Sequence, residues 1–435
     1  MQLLKTILIW LSRLLLGSTF IFSGFVKAID PLGSAIKFED YLSAMHLDFL
    51  GHYALLFAFL LSAVEFLLGV NILLSLSPRQ SSIYVLLMMA VMTPLTLYLA
   101  IANPVSDCGC FGDALKLTNW ETFGKNIILL AAAVFYFIER ENIPHLYHHK
   151  IHWFPSFLAF VFCLSVSEHN YSHLPYIDFL PYKIGANIPD EMKVPEGASV
   201  DIFESTFIYE KKGEKKEFTL QNYPANDTTW HFVEQKSVLL KKGFEPKIHD
   251  FSITLKKSGE EITDIVLQDS SFTFLLITPR LDKASDAHID RINDIYDFAK
   301  DKNIPFYALT ASGDDEITEW VNGTAADYPF CFTDQTTLKT MIRANPGLML
   351  LKKGIVVGKW NSVDIPNEQE MNTYIKTVNL GAIKNNSAQE RNVMWKLFFT
   401  ILASLAFILL FEKVSLIVLS KIRKYKSKNK IITNN

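Results

Sequence analysis

Cysteine is scarce in this chain: only four of its 435 residues are cysteines. Two of them, Cys108 and Cys110, are separated by a single residue, and no second Cys pair or Cys-His pair lies near them in the sequence. A structural zinc ion takes about four ligands, which this stretch cannot supply. We therefore predict no metal site at these cysteines.

The sequence also lacks the motifs of several common enzyme classes. It contains neither a glycine-rich phosphate-binding loop nor the Gly-x-Ser-x-Gly turn that carries a serine nucleophile. Its formal net charge is −3, whereas proteins that bind nucleic acid usually carry an excess of positive charge. Phosphate-loop enzymes, serine hydrolases of this type and nucleic-acid partners are therefore not expected.

Long apolar runs dominate what is present. Hydrophobic residues make up 49% of the chain, while the charged residues are concentrated in the middle third and the tail. Each run is close to the roughly 20 residues that a bilayer requires, although the fourth and fifth are short. The sequence predicts a membrane α-helical bundle of about six transmembrane helices, with spans at Leu3–Phe25, His52–Leu76, Ile83–Ala102, Phe123–Ile138, His152–Val166 and Val393–Leu419.

Basic residues indicate how these spans are oriented. The first run contains Arg13 and lacks a small-residue cleavage site after it, so we interpret it as a mature helix rather than a signal peptide. With six spans, Lys5, Arg79, Arg140 and the basic tail fall on one side, which the positive-inside rule assigns to the cytoplasm. We expect a multi-pass protein of the bacterial inner membrane with both termini cytoplasmic and residues of about 168–390 periplasmic. The tail should contact anionic lipid.

The tripeptide Cys108-Gly109-Cys110 lies between the third and fourth runs, on the predicted outer side, where disulfides persist. Two sulfurs separated by one residue reach bonding distance only if the backbone turns sharply, and glycine permits such a turn. A disulfide closed in this way is expected to be strained and readily reducible. Cys108 and Cys110 are thus the candidate catalytic residues. The alternative is that they are two small buried residues of a tight loop.

Arg13 and Glu65 are charged residues that fall deep inside the predicted spans. Arg13 lies ten residues from the inner start of the first helix, and Glu65 lies thirteen residues from the outer start of the second, so their depths nearly match. An ionisable side chain in hydrocarbon is costly unless it is paired or faces a polar cavity. We predict a structural ion pair between Arg13 and Glu65, with a proton or quinone role as the alternative. Gly17, Gly24 and Gly69 are expected to be helix-packing contacts.

These residues also form a recognisable set of motifs. The set comprises Arg13-x3-Gly17-x2-Phe20-x2-Ser23-Gly24-x2-Lys27, then Glu65-x3-Gly69, then Asp107-Cys-Gly-Cys-Phe-Gly112. On these motifs, residues 1–140 resemble the DoxX-like membrane family in its methylamine-utilisation E-protein (MauE) branch. The resemblance implies a bundle like that of quinone-linked disulfide-forming enzymes and a role in the maturation of disulfide-rich periplasmic redox proteins. By the same analogy, a membrane quinone would accept electrons.

The region between the fifth and sixth runs divides at about Gly243. Its first part, 168–242, has alternating apolar and polar residues around the charged segment Lys211–Lys216, which predicts a β-hairpin. Its second part, 243–380, alternates strands and helices, which argues for an open α/β sheet. We therefore divide the chain into a bundle at 1–167, this β-rich extension, the α/β domain, and a final helix with its basic tail at 381–435.

The α/β domain departs from the family that it resembles. The features of the resemblance are the strand, helix, strand, helix, hairpin order from Phe272 to Trp360, Pro246-x3-Asp250-Phe-Ser near the start, and Asn345-Pro346-Gly347 before the hairpin. On these features the domain is similar to thioredoxin-like domains of membrane-anchored redoxins, which implies that Pro346 is a cis-proline. The family's Cys-x-x-Cys should follow the first central strand, where Thr278–Lys283 contains no thiol. We expect this domain to bind or position a partner.

The predicted function is thiol-disulfide handling. A thiolate of Cys108 or Cys110 would exchange with a periplasmic thiol or disulfide protein through a mixed disulfide. Acidic neighbours disfavour a thiolate here unless Lys116 or a helix N-terminus compensates. The lone cysteines Cys163 and Cys331 are expected to be packing residues, with exchange as the alternative. The alternative function is a non-enzymatic membrane scaffold that holds a periplasmic client.

Overall fold

The structure, a computed structural model, describes residues 2–105, 107–143, 152–195, 197–199, 202–211, 214–219, 230–241, 243–244, 246–383 and 386–432. Within these ranges it contains an N-terminal helical bundle, a mixed α/β domain and a long C-terminal helix, Asn386–Ile432. The helices of the bundle are α1 (Gln2–Ile29), α2 (Pro31–Ala44), α3 (Ala54–Leu73), α4 (Pro78–Ala102), α5 (Asn119–Ile138) and α6 (Trp153–Ser172).

Five of the described helices are long and apolar enough to cross a membrane. They are α1, α3 together with the 3-10 turn Asp48–Tyr53 before it, α4, α5, and the C-terminal helix. Large apolar side chains on their outer faces are exposed, among them Leu14, Leu87 and Phe407. Apolar surface of this extent suits lipid better than water. The chain is therefore a membrane protein.

Helix α6 occupies the position of the predicted fifth span but is not among those five. The backbone N–H of Ser77, beside the start of α4, donates to Nδ1 of His152 at 3.2 Å. At the other end of α6, Asn170 Nδ2 donates to the carbonyl of Ala28 near the end of α1 at 3.3 Å. Helix α6 thus extends along the bundle from one end to the other.

Close packing of glycines fixes the register of α1 against α3. A Cβ added at Gly24 would lie 2.4 Å from the backbone nitrogen of Phe66, and one added at Gly69 would lie 2.5 Å from that of Ile21. Gly17 lies against the same surface, since its added Cβ would be 3.3 Å from the carbonyl oxygen of Gly69. The prediction that these glycines are helix-packing contacts is confirmed.

The predicted ion pair between Arg13 and Glu65 is wrong. Arg13 is buried and its Nη2 donates to the carbonyl of Leu73 at 2.8 Å, where the last turn of α3 leaves carbonyls without helical partners. Glu65 pairs instead with Lys27, whose Nζ lies 2.8 Å from Oε2. The predicted first span ended too early: α1 continues to Ile29, so Lys27 belongs to the helix rather than to an outer loop.

The β-rich extension contains a three-stranded antiparallel sheet in the order β2-β1-β3. Its strands are β1 (Ile202–Lys211), β2 (Glu214–Thr219) and β3 (His231–Lys241), and the short helix α7 (Ile188–Glu191) precedes them. Strands β1 and β2 pair as the predicted β-hairpin, while the turn at 212–213 lies outside the described residues.

The α/β domain is built on a six-stranded mixed sheet. Its strands are β4 (Thr254–Leu255), β5 (Phe272–Thr278), β6 (Phe306–Thr310), β7 (Phe330–Phe332), β8 (Gly347–Lys352) and β9 (Ile355–Asn361). Its helices are α8 (Thr263–Gln268), α9 (Ile289–Asp301), α10 (Asp314–Thr324), α11 (Gln335–Met341) and α12 (Glu368–Thr377), and α13 (Leu380–Ile383) follows. The strand order is β4-β7-β6-β5-β8-β9, with β5, β6 and β7 parallel and β8 antiparallel to β5. The predicted strands, helices and hairpin are present as β5, α9, β6, α10 and β8-β9, and the structure adds β7 and α11 before the hairpin.

Apolar side chains cover both faces of this sheet. Alternate residues of β5 point to opposite faces, so Leu275 belongs to one core and Phe274 to the other. The first core also contains Tyr182 and Ile188 from the β-rich extension. Part of the extension therefore folds together with the α/β domain.

Gly24→Ala should destabilise the bundle, because the added methyl would meet backbone atoms of α3 that cannot rotate away. Overpacking of this kind costs about 1–3 kcal/mol. The matched control is Gly124→Ala in α5, whose added methyl meets nothing within 4 Å. Thermal unfolding of the detergent-purified protein should show a lower midpoint for Gly24→Ala only. Equal midpoints would contradict the register of α1 on α3.

Candidate functional site at the cysteine loop

The cysteine loop, residues 107–113, lies between α4 and α5 and turns through two left-handed glycines. Gly109 has φ +59° and Gly112 has φ +52°, a conformation that a Cβ would strain. The N–H of Gly112 donates to the carbonyl of Gly109 at 3.0 Å, and the N–H of Gly109 donates to Asp107 Oδ1 at 2.9 Å. These turns bring the side chains of Cys108 and Cys110 together.

The two sulfurs lie 2.9 Å apart, and the structure shows them as free thiols in contact. Both cysteines are partly exposed. The predicted proximity of Cys108 and Cys110 is therefore confirmed, while their disulfide stays a prediction.

Side chains of α1 and α3 hold the backbone of Cys110. Ser23 Oγ and Lys27 Nζ donate to its carbonyl at 2.8 Å and 2.6 Å. Lys27 also contacts Ser23 Oγ at 2.7 Å and Glu65 Oε2 at 2.8 Å, so the three donors of its ammonium have three acceptors. Lys27 and Glu65 are 5% and 7% exposed, and a buried pair is tolerated only with such complete hydrogen bonding. This contact ties the cysteine loop to both helices.

Helix α2 holds the other half of the loop. The Tyr41 hydroxyl donates to the carbonyl of Cys108, and Lys37 Nζ lies 2.9 Å from Asp107 Oδ2. Burial raises the pKa of Tyr41, so its phenol stays neutral and able to donate. The sequence analysis did not predict α2, although Asp30 followed by Pro31 is a helix-start signal.

The surroundings of the two sulfurs make them chemically unequal. A hydrogen bond from the Cys108 thiol lowers the pKa of Cys110, with help from the charges of Lys125 and Lys27 and against the effect of burial. The same hydrogen bond, together with burial, raises the pKa of Cys108. Cys110 is therefore favoured as the thiolate, and the thiolate is the nucleophilic form. Lys116, which the sequence analysis considered for this role, instead lies 3.4 Å from the carboxylate of Asp113.

Lys125 is positioned by an aromatic ring. Its Nζ lies 4.3 Å from the ring centroid of Phe111, whose ring centroid is 5.2 Å from that of Phe22 on α1. A cation over a ring face is attracted by the ring quadrupole. Phe111, the residue after Cys110, thus keeps a positive charge beside the thiol.

The α/β domain reaches the loop through Arg343, which is 7% exposed. Its Nε lies 3.0 Å from Asp30 Oδ1, and its Nη2 lies 2.9 Å from Asp30 Oδ2 and 2.8 Å from Asp113 Oδ2. Burial by itself lowers the pKa of Arg343, but the charges of Asp30 and Asp113 outweigh it and raise that pKa. A second ion pair joins Lys359 Nζ to Asp178 Oδ2, after α6, at 2.6 Å. The domain is thus fixed against the bundle beside the cysteines.

A cleft of about 520 Å³ lies between the cysteine loop with α2 and the α/β domain. Lys37, Asp107 and Gly109 line the first side, and Thr336 and Lys339 line the second. The side chain of Lys37 lies over Gly109, since a Cβ added at Gly109 would be 3.1 Å from Lys37 Cγ. The cleft thus borders the loop that carries the two cysteines.

The segment Thr278–Lys283 of the α/β domain, where the sequence analysis looked for Cys-x-x-Cys, makes hydrogen bonds within its own domain. The Asn345–Pro346 peptide bond is cis, the geometry expected for Pro346. Asn345 Nδ2 donates to the carbonyl of Arg280, in the segment that replaces Cys-x-x-Cys, at 2.8 Å. Arg280 in turn pairs with Asp282.

The two remaining cysteines are packing residues. Cys331 in β7 is 0% exposed, and burial raises its pKa to about 12. Cys163 in α6 is 1% exposed and packs with Ala28 and Phe66. A thiol that is buried is a poor nucleophile. The burial of Cys163 and of Cys331 therefore does not support their exchange with Cys108 or Cys110.

Glu65→Leu should destabilise the protein by about 3–5 kcal/mol, because it leaves the buried Lys27 without its counter-ion. The double variant Lys27→Met with Glu65→Leu should recover most of that loss, since it removes both charges. Thermal unfolding in detergent gives the stability of the unmodified protein and of each variant. A double variant no more stable than Glu65→Leu alone would contradict the pairing.

Cys110 should react with iodoacetamide faster than Cys108 at about pH 7, below the ordinary thiol pKa of about 8.5. Lys125→Met should move the pH profile of Cys110 to higher pH, because the nearby cation lowers its pKa. Lys116→Met, at a lysine paired with Asp113, is the control and should leave the profile unchanged. Mass spectrometry of labelled peptides across the pH range measures all three proteins. Identical profiles for the two cysteines would refute the asymmetry.

Comparisons with known proteins match separate parts of the chain. Residues 5–139 match the family described as Methylamine utilisation protein MauE, and residues 203–242 match one described as Domain of unknown function (DUF8463). The comparison with curated proteins gives no match. Among solved structures, a solution structure from Bacteroides thetaiotaomicron described as a candidate protein disulfide isomerase has 16% identity and a TM-score of 0.24, over 33% of this chain and 91% of that chain. The part of this chain that is similar to the MauE family is the part that carries the cysteine loop.

Proposed function

We propose that this membrane protein exchanges disulfides with a protein partner at Cys108 and Cys110. The observation that carries the proposal is the geometry of the pair: the two sulfurs lie 2.9 Å apart, with Lys27 and Lys125 beside Cys110. The MauE match supports it, since it covers both cysteines and both lysines. Maturation of disulfide-rich periplasmic proteins is the role that the family resemblance implies.

The exchange needs no oxidant or reductant other than the partner protein. The Cys110 thiolate attacks one sulfur of a partner disulfide, which forms a mixed disulfide and releases the first partner thiolate. Cys108 then loses its proton and attacks Cys110 in the mixed disulfide, which forms the Cys108–Cys110 bond and releases the second partner thiolate. Two electrons pass from the protein to the partner. The reverse sequence oxidises a partner dithiol.

We also propose that the cysteine loop and the α/β domain lie on the periplasmic side of a bacterial inner membrane. The opposite end of the bundle carries Lys5, which pairs with Glu139 at 2.8 Å, and Arg79. Ile408 of the C-terminal helix packs with Leu76 at that same end. Both termini then face the basic, cytoplasmic side, and the basic tail can contact anionic lipid. The course of α6 along the bundle supports six spans in total.

A membrane quinone, the acceptor that the resemblance implies, does not fit the cavity beside Cys110. That cavity is bordered by Cys110, Lys125, Met88 and Met92 and has a volume of about 40 Å³. For comparison, an engineered cavity that binds a single benzene ring has a volume of about 150 Å³. We therefore derive no step through a quinone.

The α/β domain is proposed to bind or position the partner. Its segment Thr278–Lys283 contains no thiol. The cleft of about 520 Å³ lies between the domain and the cysteine loop. The same cleft supports the second candidate function, a membrane scaffold that holds a periplasmic client. The scaffold needs no exchange at Cys108 and Cys110, and this difference separates the two functions.

Cys108 and Cys110 should form their disulfide reversibly, at a potential within the range of glutathione and disulfide isomerases, about −180 to −260 mV. Alkylation mass shift of the detergent-purified protein across a glutathione series measures this. Cys163→Ser is the control and should leave the equilibrium unchanged, because Cys163 is a packing residue. A potential below about −300 mV, or cysteines that never pair, would favour the scaffold.

Cys108→Ser should accumulate a mixed disulfide with glutathione, because Cys110 can attack but the resolving thiol is missing. Cys110→Ser should accumulate less, since Cys108 has the raised pKa. Acid quench followed by mass spectrometry gives the two yields. A larger yield for Cys110→Ser would reverse the assigned roles.

A further inference from the structure

One contact joins the α/β domain, which has no redox motif, to the cysteine loop of the bundle. Nη2 of Arg343 donates to Asp30 Oδ2 and also to Asp113 Oδ2, at 2.9 Å and 2.8 Å. Nη1 donates to the carbonyl of Lys339 at 2.6 Å, which fixes the guanidinium to its own domain. Arg343 and Asp30 are buried, and the side chain of Asp113 is 24% exposed.

The two carboxylates belong to the two structures that hold the thiol pair. Asp113 ends the cysteine loop on the Cys110 side. Asp30 is the N-cap of α2, where its Oδ1 accepts from the N–H of Gly33 at 2.8 Å. Helix α2 in turn contacts the loop on the Cys108 side through Lys37 and Tyr41. A single guanidinium therefore bridges both supports of the pair.

We propose that Arg343 is a positioning residue of the thiol site, through which the α/β domain sets the geometry and reactivity of Cys108 and Cys110. This inference rests on the proposed exchange function. Both carboxylates reach one nitrogen, so without the cation they would repel each other in a poorly solvated place. The repulsion would push the Asp113 end of the loop away from α2. The spacing of the two sulfurs depends on that approach.

The chemistry of the contact requires arginine. The guanidinium donates from Nε and Nη2 to Asp30 in a bidentate fork and still has donors for Asp113 and Lys339. A lysine ammonium is a point charge with three donors and cannot reproduce the fork. Arg343→Lys should therefore keep the charge while losing the geometry.

The test compares Arg343→Gln with Lys359→Ala in the full-length, detergent-purified protein. Both variants lose an ion pair of the α/β domain, but Lys359 bonds to Asp178 rather than to a support of the cysteine loop. We expect the glutathione equilibrium of the cysteine pair to change about tenfold in Arg343→Gln, the scale of one charge-assisted hydrogen bond, and to stay unchanged in Lys359→Ala. Arg343→Lys should give a smaller shift of the same sign.

A rescue variant separates positioning from simple loss of stability. Asp113→Asn in the Arg343→Gln background removes the repulsion from Asp30 and should restore part of the equilibrium. Equal equilibria for Arg343→Gln, Lys359→Ala and the unmodified protein would overturn the inference. If the unmodified cysteines never pair, the exchange function itself fails. The rates of alkylation of Cys108 and Cys110 then still decide the positioning role, which is overturned if Arg343→Gln leaves both rates unchanged.

Discussion

The ammonium of Lys27 is buried among Ser23, Glu65 and the carbonyl of Cys110, and the remaining site is arranged around it. A buried cation is costly unless every donor has an acceptor, so these three groups must remain within reach of one nitrogen. That requirement joins α1 to α3 and joins the cysteine loop to both. The close packing at Gly24 allows the two helices to approach far enough for this contact. Helix packing and thiol position therefore depend on the same interaction.

The acidic residues of the cysteine loop pair with other cations and do not neutralise Lys125, which lies next to Cys110. Asp107 and Asp113 would oppose a thiolate, but Lys37 pairs with the first and Arg343 with the second. Lys125 is held over the Phe111 ring, next to Cys110. Opposite charges close to a thiol favour its thiolate. The loop can thus be acidic in sequence and still support a nucleophilic sulfur.

The α/β domain contributes to this site without having a redox motif. Its sheet has buried both faces, and its only cysteine lies in the core. Arg343 brings the domain to the loop, and a cleft lies between the two beside Lys37 and Gly109. The structure therefore suggests a division of roles: thiol chemistry in the bundle and positioning by the domain. A free-standing redox domain has no such link, whereas here the α/β domain and the bundle share the buried ion cluster of Arg343, Asp30 and Asp113.

Features that depend on local pattern could be predicted from the amino-acid sequence. Apolar runs indicated the membrane helices, the spacing of Cys108 and Cys110 around a glycine indicated their proximity, and alternating strands and helices indicated the mixed sheet. Each of these follows from bilayer thickness, backbone freedom or residue periodicity. The cis peptide bond at Pro346 was instead implied by the resemblance to thioredoxin-like domains.

Which charged groups pair with each other depends on the three-dimensional fold and could not be predicted from local pattern. Counting residues gives the depth of Arg13 and Glu65, but not the rotation or register of their helices, so the partner of Glu65 had to come from the packing of α1 on α3. Asp30 and Arg343 are 313 residues apart, and no local pattern marks either as a partner of the other. Ion pairs are selected by distance in the folded chain and by the cost of burying a charge alone. The periodicity of the sequence gives neither the distance between two charged groups nor the cost of burying one of them alone.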